Sequence, residues 1–392
     1  MVSPHAPELR GPVVDYRRGG LASGALAARQ RADGTYDTKR AFWLESLVAI
    51  VVARWQRTHS ERLVPSETDL LVIIEKRVPM AWLHKDIVSV AQFERADLEA
   101  LFALSDACRP IAAGKRSCEL LRGKLLGNLF FEPSTRTRLS FAAAFRRLGG
   151  AVETTEGMTN NSMAKGESLE DAIAVVDGYF DALVIRHPQI GSAQRAADVA
   201  RVPVLNAGDG AGEHPTQALL DVYTIMRERG RVDGLTIALV GDLKHGRTVH
   251  SLARLLSRFD KVRLLLTSPP DLSMPSHVLS VLDAAGVAYE CLESLADAVE
   301  VADVVYVTRL QAERFDDPSE ADRFLGSYVV NRSLLERVNA LETTILHPLP
   351  RLGELSTDVD DLPGAAFMRQ AHNGVPVRMA LFCSVFGVDV RE

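Results

Sequence analysis

Residues Leu125–Gly150 read LLGNLFFEPSTRTRLSFAAAFRRLGG. The run Leu125–Phe131 is apolar and of strand length. Leu139, Phe141, Ala142, Phe145 and Leu148 then recur at roughly helical spacing, and Gly149-Gly150 supplies a stop. Between the two lies Glu132-Pro133-Ser134-Thr135-Arg136-Thr137-Arg138, which crowds three hydroxyls and two guanidiniums into the first turn of the helix. A helix N-terminus leaves backbone N–H groups free and carries partial positive charge. Hydroxyl donors and an Arg turn such a terminus into an anion site, phosphate by preference. A capped surface helix with solvated charges is the plain alternative for one isolated turn. Five polar donors in succession behind a buried-type strand weigh against it.

Outward from this stretch the chain alternates strand and helix. An amphipathic helix is expected over Phe93–Ala107. Strands are expected at Ala151–Thr155, Ala182–Ile185 and Val202–Leu205, with helices over Glu167–Tyr179 and Pro215–Arg229. After the Gly230–Gly234 junction, strands are expected at Thr236–Val240, Val262–Leu266, Ala288–Cys291, Val304–Val307 and Thr344–Leu346, and a helix over Thr248–Phe259. An apolar helix over Pro376–Val388 closes the pattern. Such alternation implies an α/β fold with two doubly wound parallel-sheet domains, in which ligands bind beyond the carboxyl ends of the strands. The expected division is a partly disordered N-terminal extension over residues 1–83, a first domain over 84–230 and a second over 231–374. The helix over 375–390 is expected to join the first domain. Within the extension, Ala41–Trp55 has a helical pattern and Asp69–Glu75 that of a short strand or helix.

The 392 residues carry a net charge of −6, which argues against nucleic acid or an anionic membrane as the main partner. The most apolar window, Leu44–Trp55, is too short to span a bilayer. Cys108, Cys118, Cys291 and Cys383 show no metal-ligand spacing and read as reduced thiols of a cytoplasmic chain. No metal or organic cofactor is implied.

The polar clusters fall at strand ends. Arg186-His187-Pro188 ends one strand. His214-Pro215-Thr216-Gln217 opens a helix after the glycine-rich AGDGAGE loop, Pro215 at its first position. His214 and Gln217 lie on one face, where an imidazole and an amide could grip a carbonyl and an NH2 group. Gly241–Thr248 lacks the dinucleotide fingerprint, and Arg247 there could hold a carboxylate. Arg309 and Gln311 share one side of an extended segment. His347-Pro348-Leu349-Pro350-Arg351 follows the last strand, where two prolines imply an extended, rigid loop with carbonyls pointing outward. Each cluster alone fits a plain turn or cap. Together they set Arg136, Arg186, Arg247, Arg309 and Lys165 beside strand ends in an acidic protein, which suits substrates with several negative charges. With no nucleophile–base pair in view, the implied chemistry is orientation and electrostatic stabilisation.

The segments FFEPSTRTR, IRHP, AGDGAGEHPTQALLD, VGDLKHGRTVHSL, TRLQAER, HPLPR and NGVPVRMAL resemble, in order, the catalytic chains of aspartate carbamoyltransferases. The resemblance covers about Asp86 to Val388. STRTR with HPTQ marks transcarbamoylases in general; GRTVHSL, TRLQ and HPLPR point to the aspartate group, since ornithine enzymes have a cysteine at the place of Pro348. The resemblance implies transfer of the carbamoyl group of carbamoyl phosphate to L-aspartate, the second step of de novo pyrimidine synthesis, without metal or cofactor. It implies that Ser134, Thr135, Arg136, Thr137 and Arg186 bind the phosphate. Thr137, Arg186 and His214 would hold the carbonyl oxygen, and Gln217 and the carbonyls of Leu349 and Pro350 the carbamoyl NH2. Arg247, Arg309 and Gln311 would take aspartate. Lys165 would reach the neighbouring subunit's site in a homotrimer.

Two departures stand out. Asn161 occupies the place of the family's loop serine, and Ser162 follows it, so either Ser162 serves or a contact is lost. The leading segment of 83 residues is foreign to typical catalytic chains; docking on the trimer, for assembly or regulation, is the expectation. A regulatory chain or a dihydroorotase is a candidate partner. The alternatives are a transcarbamoylase for another amine and a silent scaffold for a pyrimidine enzyme.

Overall fold

The computed structural model describes residues 82–157, 166–315 and 317–391. The helix over Ala41–Trp55, the element at Asp69–Glu75, Ser162 and Lys165 lie outside the described residues.

The first parallel sheet holds β1 (Leu125–Phe130), β2 (Ala151–Glu156), β3 (Ala182–His187) and β4 (Val204–Asp209), in the order β2-β1-β3-β4. The second holds β5 (Thr236–Gly241), β6 (Arg263–Thr267), β7 (Ala288–Leu292), β8 (Val304–Thr308) and β9 (Thr344–Leu346), in the order β7-β6-β5-β8-β9. Helices α1 (Arg95–Ala112), α2 (Thr135–Arg147), α3 (Leu169–Val176), α4 (Ser192–Val199) and α5 (Pro215–Arg229) accompany the first sheet in sequence. With the second come α6 (Arg247–Leu256), α7 (Ser276–Ala284), α8 (Leu295–Val301) and α9 (Arg332–Arg337), before the last helix, α10 (Phe367–Phe386). Strand order reverses between β1 and β3, and again between β5 and β8. A crevice opens at such switch points because successive crossovers leave to opposite sides. The register sets Phe130 beside Arg186 at the first and Gly241 beside Thr308 at the second. Gly241 has φ +114°, and a Cβ there would lie 2.2 Å from the Thr308 carbonyl oxygen. The close approach of these two strand ends therefore requires glycine.

The strands differ from expectation at the end that matters. β3 continues through Arg186 and His187, so Arg186 projects from the sheet itself and is buried. β4 continues to Asp209, past the polar Asn206 where the apolar pattern stops. The Asn206 amide makes this tolerable by donating to the Val88 carbonyl (3.0 Å) and accepting from the Gly208 N–H (2.7 Å). Helix α10 begins at Phe367, well before Pro376, because Phe367 and Gln370 are themselves buried and anchor an added first half. Its far half returns to the first sheet, where Phe382 meets Phe141 and Phe145 edge-on at 6.0 and 4.9 Å. Trp82 already packs here, stacked on Phe93 at 4.3 Å with its indole N–H donating to Asp97. Among the described residues no helix is long and apolar enough to cross a membrane.

Candidate active site

The segments that follow β1, β4, β5, β8 and β9 converge on one cavity of about 850 Å³, a size suited to two small substrates. Its lining includes Ser134, Thr135, Arg136, Thr137, Arg186 and His214, then Gln217, Arg247, Arg309, Gln311, Leu349 and Pro350. Every site residue expected from the sequence and lying among the described residues is thus brought to it. Among the described residues five guanidiniums and two carboxylates line the cavity, so an anion is strongly favoured there.

One wall is the turn between β1 and α2. Ser134 is the N-cap in extended conformation (φ −163°), and its hydroxyl makes no capping bond. The free N–H groups and the hydroxyls of Thr135 and Thr137 belong to the same first turn. Arg138 leaves the cavity to pair with Glu156 at 3.3 Å. Arg136 stays. Burial lowers its pKa, and the nearby charge of Arg309 lowers it further. A bound anion would relieve both effects.

Glu132, just before this turn, was given no role from sequence. It accepts from Arg186 at 2.9 Å and faces Arg247 at 3.5 Å, so one carboxylate joins the two sheets. Arg186 also donates to the Ala207 carbonyl at 3.1 Å, and Arg247 and Arg314 both donate to the Gly210 carbonyl. Burial lowers the pKa of Arg186 and Arg247, which Glu132 opposes.

His214 caps α5, its N–H donating to the Ser251 hydroxyl at 3.3 Å. The ring is buried, and its Nδ1 has no hydrogen-bond partner among the described residues. Burial holds its pKa well below 6.5, and the charges of Arg247, Arg186 and Arg378 push the same way. A neutral imidazole is the form that donates a single hydrogen bond without adding charge. Gln217, one turn on, donates from Nε2 to Asp221 at 2.8 Å, which leaves Oε1 as its remaining polar atom.

The opposite wall comes from the second sheet. Arg309 forms a fork with Glu313, which raises its pKa against burial. Gln311 donates from its backbone to Asp242 at 3.0 Å and from its amide to the Arg309 carbonyl at 3.3 Å. The loop after β9 departs from the extended form expected of two prolines. Leu349 has φ +60°, and the Leu349–Pro350 peptide is cis. The His347 ring forces the bend by accepting from the Leu349 N–H at 2.8 Å, while its other nitrogen bonds Glu354 at 2.7 Å. A left-handed leucine costs about 1 kcal/mol or more.

Arg378 also lines the cavity and was not singled out from sequence. It is buried in α10, donates to Ser140 at 2.8 Å and Thr216 at 3.2 Å, and lies over Phe141. Its signal was legible as one charge in the apolar run VPVRMALF.

The buried imidazoles set the acid side of stability. Burial lowers His84 and His250 to about 4, and it lowers His187, His214 and His347 as well. The unfolded chain takes up these protons below pH 6.5, and the folded chain takes them up only at lower pH. Their contribution is therefore full above pH 6.5 and is lost as pH falls from there toward 4, by about 1.4 kcal/mol per unit for each group fully engaged. Asp221, raised to about 7 by burial, has the opposite sign between its unfolded value and 7, but it is one group against five. Tm is expected to fall steadily between pH 6.5 and 4.5; calorimetry showing a flat or rising Tm would contradict this.

Two family models match the chain. The carbamoyl-phosphate-binding domain of aspartate/ornithine carbamoyltransferases matches residues 85–227, and the Asp/Orn-binding domain of the same enzymes matches residues 233–385. The aspartate carbamoyltransferase catalytic subunit of Saccharophagus degradans is 48% identical over 318 residues, covering 79% of this chain and 94% of its own. That of Thermococcus gammatolerans is 49% identical over 310 residues, 79% and 100%. Among solved structures, aspartate transcarbamoylase from Trypanosoma cruzi in complex with N-(phosphonacetyl)-L-aspartic acid has a TM-score of 0.74 at 43% identity, covering 79% of this chain and 99% of its own. The family models span most of the sequence and both sheets, and the relatives' identities far exceed what shared fold alone produces: the chain belongs to the aspartate/ornithine carbamoyltransferase family.

Proposed function

We propose that the chain is an aspartate carbamoyltransferase, forming N-carbamoyl-L-aspartate and phosphate from carbamoyl phosphate and L-aspartate. The observation that carries this reading is one cavity with the hydroxyl- and Arg-rich turn of β1–α2 on one wall and Arg247, Arg309 and Gln311 on the other. Ser134, Thr135, Arg136 and Thr137 bind the phosphate, with Arg186 beside them. The neutral aspartate amine attacks the carbamoyl carbon. As the tetrahedral centre forms, negative charge grows on the carbonyl oxygen, which Thr137, Arg186 and His214 stabilise. The bond from carbon to the phosphate oxygen then breaks, and phosphate leaves with help from a proton of the amine. Gln217 and the carbonyls of Leu349 and Pro350 accept from the carbamoyl NH2. Arg247, Arg309 and Gln311 hold the two carboxylates of aspartate, which requires Arg309 to exchange Glu313 for substrate.

Lys165, and Ser162 or Asn161, lie on the segment outside the described residues. We assign them to a neighbour's site in a homotrimer, by the family resemblance. The free thiols of all four cysteines fit the cytoplasm, and the reaction fits the second step of pyrimidine synthesis. Assembly or regulation remains the role proposed for the leading segment, with a regulatory chain or dihydroorotase as partner. The intact Arg247, Arg309 and Gln311 set disfavours another amine acceptor, and the intact phosphate turn disfavours a silent chain. N-(phosphonacetyl)-L-aspartate joins a phosphate mimic to aspartate and tests the reading directly. It is expected to inhibit competitively against carbamoyl phosphate and to bind far more tightly than inorganic phosphate. Binding no tighter than phosphate would contradict the two-walled site.

A further inference from the structure

Beneath the cavity lies a carboxylate for which the proposed chemistry has no use. Asp221, on α5, is fully buried. Its Oδ1 accepts from Gln217 Nε2 at 2.8 Å and from Gln370 Nε2 at 2.6 Å, and its Oδ2 accepts from the Tyr306 hydroxyl at 2.8 Å. Both amides meet Oδ1, so a proton that the group takes up near pH 7 sits on Oδ2, and Oδ1 accepts in either form and dictates which end of each amide points at it. The NH2 of Gln217 is consumed, and its oxygen is left for the cavity. The NH2 of Gln370 is consumed too, and its Oε1 accepts from the His347 N–H at 2.8 Å. His347 in turn accepts from the Leu349 N–H at 2.8 Å. One hydrogen-bond chain thus runs from Gln217 through Asp221 and Gln370 to the loop that carries the Leu349 and Pro350 carbonyls.

We propose that Asp221 is a positioning residue that makes this corner of the cavity acceptor-only, and so sets its preference for a carbamoyl NH2 over an isosteric acetyl CH3. The inference rests on the function proposed above and deepens it. Gln217 Oε1 and two backbone carbonyls face the group attached to the reacting carbon. An NH2 satisfies acceptors there, whereas a methyl leaves them buried and unpaired, the situation in which a site discriminates most. A plain alternative is that Asp221 only anchors the second sheet, through Tyr306, to α5.

The two are separated by three constants measured on wild type and Asp221→Leu: KM for carbamoyl phosphate at saturating aspartate, and Ki for acetyl phosphate and for inorganic phosphate. A Leu of similar size offers no acceptor to the three donors, so the Gln217 amide is freed to turn and present NH2 to the substrate. The ratio of Ki for acetyl phosphate to KM for carbamoyl phosphate is expected to fall by at least about tenfold, with Ki for phosphate held within about twofold. A mere anchor would shift all three constants together and leave the ratio unchanged, which would overturn the proposal. If the Leu variant does not fold, Gln370→Met cuts the same chain while leaving Gln217 and Tyr306 on Asp221. The ratio is expected to narrow there too, and an unchanged ratio again overturns the proposal. An inactive wild type would remove the proposed function and this inference with it; an active wild type with an unchanged ratio would remove this inference alone.

Discussion

Arg136→Ala is expected to lower kcat by about 10³ while leaving the unfolding temperature close to wild type. Arg136 pairs with no carboxylate among the described residues; burial and the charge of Arg309 both work against its own. It is a cation stored at a helix N-terminus, at an electrostatic cost that only an anion removes. Truncating it relieves that cost, so the folded chain loses little. The reaction loses more, because the phosphate gains charge as it departs and the Arg is proposed to meet that charge. Steady-state kinetics and a thermal melt on the same preparation test both halves. Near-wild-type turnover would contradict the assignment, and a collapsed Tm would contradict the claim that the residue is kept for substrate.

His214→Ala is expected to lower kcat by about 10²–10³, the usual cost of one oxyanion donor. His214 is neutral because burial and three guanidiniums oppose its protonation. Its proposed role is therefore that of a fixed hydrogen-bond donor. The wild-type rate should show no inflection from His214 between pH 6.5 and 9, where the ring is already neutral. His214→Asn restores a donor near the same place and should recover part of the loss. Stopped assays across pH with all three proteins check this. A rate that follows an imidazole titration near pH 7 would instead make His214 a general acid or base, against the proposed mechanism.

Much of this architecture is legible in the sequence. Strands buried on both faces of a parallel sheet read as unbroken apolar runs, as at Val304–Val307 and Ala182–Ile185. The polar clusters then stood out because they follow such runs directly. Legibility failed where a polar residue is satisfied from far along the chain. Asn206 looked like a strand end, yet its amide is paired with Val88, and β4 runs on. Glu132 sat in plain view in FFEPSTRTR, but its partners Arg186 and Arg247 come from β3 and α6. Asp221 was one acid in ALLDVYTIM, and nothing local says that an amide from α10 and a phenol from β8 converge on it. The bend at Leu349 was hidden for the same reason, since the His347 ring that holds it is itself fixed by Glu354.

The central claim is that one cavity, shared by the two sheets, joins a carbamoyl group to the amine of aspartate. The most direct test supplies the full chain with ¹³C-labelled carbamoyl phosphate and aspartate, and separately with ornithine, while phosphate release and the ¹³C spectrum are followed together. The account predicts one N-carbamoyl-L-aspartate formed per phosphate released with aspartate, and no more than the uncatalysed background with ornithine. Phosphate released without labelled N-carbamoyl-L-aspartate, or transfer to ornithine in preference to aspartate, would contradict it.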